Sequence, residues 1–247
     1  GLFKVNANPP VFSFIGEGDE REWPMQSYNI RSVITDRSGK VWAGTLNSGL
    51  YEIDRSRGTL RHFIVNHQAY RDRDDAVESL YEDSLGNLWI GTNSGLYILD
   101  QTRKSVREFH YGYDMKFATL LRNNRINSIL ADSTGTMWLA TQFGLYALRN
   151  GRMTSYFKGN DADGLLSDEI NALTIDMHGR IWIGSTGGVN YIDPKSGKIV
   201  ALELNNGKKV FNEQVLSLTC DQVGRLLIGT RAGLNVLSFG EDAVISL

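Results

Sequence analysis

Residues Asp163–Val189 read DGLLSDEINALTIDMHGRIWIGSTGGV. An apolar run ends on Asp176, a turn leads to Gly179, a second apolar run carries Trp182, and a glycine opens a third run. The pattern recurs along the chain. IWIGSTGGVNYID from Ile181 has counterparts in VWAGTLNSGLYEID from Val41, LWIGTNSGLYILD from Leu88, MWLATQFGLYALR from Met137 and LLIGTRAGLNVLS from Leu226. Before each copy stands Asp-x-x-Gly, at Asp36, Asp83, Asp132, Asp176 and Asp221, with spacings of 47, 49, 44 and 45 residues. The stretches IRSVITD, VESLYED, INSILAD, INALTID and VLSLTCD precede these turns. Such self-similarity identifies a repeat architecture before any local assignment is made.

Within a unit the apolar residues alternate with period two, in runs of about five β-branched and aromatic residues punctuated by glycine. We read four strands per unit: a (IRSVIT-like), b (VWAGT-like), c (GLYEID-like) and d (LRHFIV, VREFHY, MTSYF, IVALEL). The a–b connection is the Asp-x-x-Gly turn, in which Asp caps its own turn and Gly accepts positive φ. Four antiparallel strands in about 45 residues make one β-propeller blade. The expected fold is therefore all-β, a propeller segment occupying 1–247 as a single region. Its full blades fall at about 27–64, 75–111, 124–158, 168–205 and 213–247. GLFKVN at Gly1–Asn6 matches GLYEID at Gly49–Asp54, which predicts an N-terminal half-blade at 1–19. The Trp six residues after each Asp (Trp42, Trp89, Trp138, Trp182) is expected to fill the space between neighbouring blades. Asp36, Asp83, Asp132, Asp176 and Asp221 are expected to be structural turn residues.

Composition narrows the function classes. The chain has 247 residues, 26 basic and 28 acidic side chains, and 26 glycines against 4 prolines. The near-neutral balance gives no general attraction to nucleic acid. No run is long enough for a membrane helix. The single cysteine, Cys220, rules out an intrachain disulfide and a cysteine zinc cage. The chain opens at Gly1 without an initiator Met or leader, so we expect a piece of a longer protein.

The consensus I-x-x-[IL]-x-x-D-x-x-G-x-[VLMI]-W-[IL]-[GA]-T-x-x-G-L-Y closely resembles the regulator-propeller repeat of hybrid two-component sensors of the Bacteroidetes type. The Asp163–Val189 stretch, with its Gly-Leu-x-Ser lead-in, is the most typical copy. Copies one and three keep less of the lead-in, and copy five has Leu227 in place of Trp. The resemblance implies a periplasmic sensor region of an inner-membrane protein, responding to oligosaccharides from polysaccharide breakdown. It also implies a histidine kinase and transcription-regulating modules elsewhere in the parent protein.

Reactive constellations are absent from the sequence. His62, His67, His110 and His178 have neither HxxxH nor HExxH spacing. His178 occupies a turn position that is Ser38, Leu85, Thr134 and Val223 in the other copies, so it reads as an exposed turn residue. Cys220 reads as a buried small side chain. GSTGG at Gly184–Gly188 is in register with the b–c turns and is not read as a phosphate loop. No metal, cofactor or catalytic residue is expected.

Candidate ligand residues are those that break the repeat. The d–a connections and their surroundings supply Trp23, Tyr70, Arg71, Arg73, Tyr111, Tyr113, Arg122 and Asn124, and the b–c turns supply Arg231. Aromatic rings with Arg and Asn suit sugar recognition through stacking and planar donors. Taken singly, each also reads as a solvated loop or rim side chain. The expected function is non-catalytic ligand sensing. The alternatives are a protein-interaction or dimerisation scaffold without a small-molecule site, and a propeller lyase or hydrolase. Self-association, or further blades of the parent protein, is the expected partner for an open arc.

Overall fold

The computed structural model describes residues 25–26, 29–65, 76–109, 121–122, 124–159, 164–202, 213–239 and 245–246. The predicted N-terminal half-blade lies outside them. Five four-stranded antiparallel sheets follow one another along the chain. Blade one is β1 (Ile30–Thr35), β2 (Val41–Thr45), β3 (Leu50–Asp54) and β4 (Thr59–Phe63). Blade two is β5 (Val77–Glu82), β6 (Leu88–Thr92), β7 (Gly95–Leu99) and β8 (Val106–Glu108). Blade three is β9 (Ile126–Ala131), β10 (Met137–Thr141), β11 (Gly144–Arg149) and β12 (Arg152–Tyr156). Blade four is β13 (Ile170–Ile175), β14 (Ile181–Ser185), β15 (Gly188–Ile192) and β16 (Ile199–Ala201). Blade five is β17 (Val215–Cys220), β18 (Leu226–Thr230), β19 (Gly233–Phe239) and β20 (Ile245–Ser246). Backbone bonds from Phe109 N to Leu96 O and from Leu202 N to Val189 O extend the pairing of β8 and β16 by a residue each.

The Asp turn is built alike in all five blades. One carboxylate oxygen accepts the N–H groups two and four residues on: Ser38 and Lys40 for Asp36, His178 and Arg180 for Asp176. The glycine three residues on donates to the Asp carbonyl, at φ of 85°, 82°, 80°, 79° and 84°. The other carboxylate oxygen accepts the Trp indole N–H at 2.8 Å in blade one and 2.9 Å in blades two, three and four. In blade five, Leu227 replaces the Trp and Arg225 Nε takes the Asp221 oxygen at 2.6 Å. One side chain therefore fixes both the turn and the ring that packs against the next blade.

Four apolar clusters each span two adjacent blades. Trp42 packs with Val77 and Leu80 of blade two, and Trp138 with Ile170 and Leu173 of blade four. The remaining pairs are closed by Leu96 with Ile126 and by Trp182 with Val215. Blades approach so closely that a Cβ on Gly44 would lie 2.5 Å from Val77 Cγ1. Side chains also clasp the next blade's first a-strand carbonyl. Ser32 reaches Val77, Ser79 reaches Ile126, Asn127 reaches Ile170 and Asn171 reaches Val215.

The two ends of the row are open. Val33 on the rear face of blade one is 58% exposed, whereas Leu80, Ile129 and Leu173 at the same position are 8% exposed. Leu234 on the front face of blade five is 60% exposed, whereas Leu50, Leu96, Leu145 and Val189 are at most 2% exposed. The three atoms nearest a Cβ on Gly229 all belong to Ser217 of its own blade, whereas at Gly44, Gly91 and Gly184 they include the next blade's Val77, Ile126 and Val215.

Burial alone would raise the carboxyl pKa of Asp36, Asp83, Asp132 and Asp176, but the hydrogen bonds they accept outweigh it and hold them below the usual carboxylate range. A depressed folded value contributes stability above the unfolded range near about 3.9. That contribution is lost as pH falls through the folded value. Asp83→Ala removes acceptors from Trp89 Nε1 and from the Leu85 and Asn87 N–H groups. It is expected to cost on the order of 2–4 kcal/mol. Asp221→Ala, on the blade without a Trp, is expected to cost less. Urea melts of the two variants side by side check this, and equal losses would contradict the role assigned to the indole.

Candidate functional site

Each a strand is interrupted near its start by a register shift. The partners skip from Ile30 to Ser32, Val77 to Ser79, Ile126 to Ser128, Ile170 to Ala172 and Val215 to Ser217. The residue left out of the ladder is Arg31, Glu78, Asn127, Asn171 or Leu216. A bulge re-aims a side chain out of the alternating pattern. All five bulged residues line one recess of about 530 Å3, together with Arg125, Gln142, Glu169, Gln214 and Arg231. Because every blade contributes its a strand, this recess is the mouth of the central channel.

The lining is polar and ordered by one buried carboxylate. The Glu78 side chain is 8% exposed, with Arg31 Nη2 at 3.1 Å on one oxygen and Arg125 Nη2 at 3.0 Å on the other. Arg125 Nε is buried and meets no hydrogen-bond partner among the described residues. Asn127 and Asn171 use their N–H groups on the neighbouring blade, which leaves their carbonyl oxygens to accept. Arg231 and Gln142, from the b–c turns, are exposed at the rim. The arrangement offers guanidinium and amide groups in a concave setting, suited to hydroxyl- or carboxylate-bearing ligands.

Of the residues singled out in the sequence, Trp23, Tyr70, Arg71, Arg73, Tyr111 and Tyr113 lie outside the described residues. Arg231 lines the channel mouth. Arg122 instead pairs with Glu108, its Nε 3.2 Å from Oε1. Asn124 is buried and its N–H donates to the Leu121 carbonyl. The bulged residues were not anticipated. Their signal was the second position of strand a, polar in four copies and Leu216 in the fifth, beside a first position that is always Ile or Val.

The remaining chemistry is quiet. Ser185 Oγ donates to Gly188 O at 3.1 Å, so GSTGG is a b–c hairpin clip like Thr92 to Gly95. His178 is exposed on its turn. Burial pushes the Cys220 thiol above its usual value, against the opposing hydrogen bond with Thr174, which disfavours the thiolate nucleophile. Among the described residues no three His, Cys, Asp or Glu side chains are grouped to hold a metal ion. No helix among them is long and apolar enough to cross a membrane.

The two component regulator propeller model matches residues 71–94, 120–143 and 164–187, each running from a lead-in through strand b. Over these three stretches the chain is similar to that repeat. The copies without a match are the first and the fifth, the latter being the one that lacks the Trp. No curated protein sequence matches. Among solved structures, the extracellular domain of a hybrid two-component system from B. thetaiotaomicron is similar, with a TM-score of 0.66 and 26% identity over 84% of this chain. This chain spans 27% of that one. Virginiamycin B lyase from Staphylococcus aureus shares the fold, with a TM-score of 0.65 and 15% identity over 90% of this chain and 71% of that one. So does PorZ, a surface component of the type-IX secretion system of Porphyromonas gingivalis, with a TM-score of 0.63 and 16% identity. The PorZ match covers 87% of this chain and 33% of that one.

Glu78→Ala would leave two guanidiniums facing each other at the channel mouth. The expected loss is about 1–2 kcal/mol, below the range for a fully buried pair because both arginines are well exposed. Urea melts at low and high salt check this. The loss should shrink as salt rises, and a salt-independent loss would contradict it.

Proposed function

We propose that the chain is a non-catalytic ligand-sensing propeller segment, part of the periplasmic region of a hybrid two-component sensor whose kinase lies elsewhere in the parent protein. The proposed ligands are oligosaccharides from polysaccharide breakdown, taken at the channel mouth. The observation that carries this reading is that the bulge of every a strand brings a side chain to one recess, and these side chains are Arg, Glu, Asn, Asn and Leu in chain order. The Asp, Gly and Trp positions of the scaffold repeat far more strictly than these five. The regulator-propeller repeats and the likeness to an extracellular two-component domain support the sensing role and the extracytoplasmic location. The lyase likeness, at 15% identity, is one of fold.

A second reading is favoured by a separate observation. The exposed Val33 and Leu234 faces suit an interaction scaffold, closed by further blades of the parent protein or by self-association.

Calorimetry of the chain against acidic and neutral oligosaccharides tests the first reading. Binding is expected to weaken about 10- to 150-fold in Arg231→Ala, the range for a hydrogen bond to a charged group. Gln142→Ala should show a smaller effect. Absence of any saccharide binding, with sedimentation showing stable oligomers that Leu234→Glu disperses, would replace the sensor reading with the scaffold one.

A further inference from the structure

The chain itself shows what the Trp faces between blades accept. Between blades one and two, Arg103 Cζ lies 5.0 Å from the Trp42 ring centroid. Its Nη2 is 3.9 Å from Asp36 Oδ2 and 3.3 Å from Glu82 Oε1. Between blades four and five, Arg180 Cζ lies 5.2 Å from Trp182 and 4.6 Å from Phe239, with Nε 2.6 Å from Asp176 Oδ2. In both places a guanidinium covers the indole face and leans on the carboxylate that accepts the indole N–H.

Between blades three and four, both sources of that guanidinium are gone. Arg103 is the residue of the c–d turn that donates its N–H to Asp100 O and sits at a φ of 53°. The c–d turn of blade four has the same length, from Asp193 to Ile199, and carries Ser196 in register with Arg103; the next residue, Gly197, donates its N–H to Asp193 O at a φ of 70°. The residue four past the Asp, Arg180 in blade four, is Thr136 in blade three. A groove of about 930 Å3 opens there, lined by Asp132, Trp138, Tyr156 and Gly197. The Trp138 and Tyr156 rings lie 5.9 Å apart. Two exposed arginines, Arg149 and Arg152, line the same groove, so a bare cation is a poorer fit than a ligand that also carries an anionic group.

We propose that this groove is a second binding site, independent of the channel mouth, for a ligand presenting a guanidinium together with a carboxylate. The guanidinium lies on Trp138 against Asp132, and the carboxylate meets Arg149 and Arg152. Free arginine and an arginyl peptide share this chemistry.

Titration of the chain with L-arginine, citrulline, agmatine and a Gly-Arg-Gly peptide, followed by NMR, tests the assignment. L-arginine should bind, and citrulline, which lacks the charge, should bind about 10-fold more weakly, as the loss of a cation–π contact implies. Agmatine, which lacks the carboxylate, should also be weaker. The tighter of arginine and the peptide identifies the source. Gly197→Arg brings a guanidinium to the wall of the groove, at a site where an added Cβ meets nothing within 4 Å, and should abolish binding with an unchanged circular dichroism spectrum. Gly58→Arg, also at positive φ with no neighbour within 4 Å but in blade one, should leave binding unchanged. Equal affinities for arginine and citrulline, undiminished binding in folded Gly197→Arg, or no arginine binding to the unaltered chain would overturn the proposal.

Discussion

The hydrogen bond from a Trp indole to an Asp carboxylate holds this architecture together. The Asp closes the a–b turn with one oxygen and aims the Trp with the other. The Trp then supplies the largest apolar surface between neighbouring blades, sitting in clusters with residues of the following a strand. A charged acceptor strengthens the bond, and partial burial raises the cost of leaving either partner unpaired. Turn, strand pair and blade contact thus depend on two side chains six residues apart. Where the Trp is lost, the carboxylate is satisfied by Arg225, and the turn survives without the packing.

That economy explains what was legible in the sequence. Asp, Gly and Trp recur because each repeat must solve the same local problem, and recurrence within one chain exposes the solution without any relative for comparison. The blade count and the a, b and c strands follow directly from it. The indole–carboxylate bond was not read from the sequence, because a ring expected to fill space gives no hint of where its N–H points.

The candidate site was the harder part for a related reason. Attention to loops found Arg231 but missed Arg31, Glu78, Asn127, Asn171 and Leu216, which lie inside regular strands. A period-two pattern predicts that the second residue of strand a points across the sheet, but the bulge swings it toward the axis. The bulge takes one position per blade out of the alternating pattern, and that position runs from Arg through Glu and Asn to Leu along the chain. Arg122 and Asn124 illustrate the opposite case. Conspicuous by type in a variable connection, they are engaged in an ion pair and in the core.

The exposed rear face of blade one and front face of blade five have a thermodynamic consequence. Blades two, three and four are each held from both sides, whereas the outer two each have a single neighbour among the described residues. Stability in such a row is a sum of unit and nearest-neighbour terms, so unfolding proceeds from the ends inward rather than all at once. Backbone amides of β1 and β17 should then exchange with solvent through openings that leave the three central blades intact. Whatever docks on an open face raises protection first at that end, converting occupancy there into a gradient of rigidity along the row.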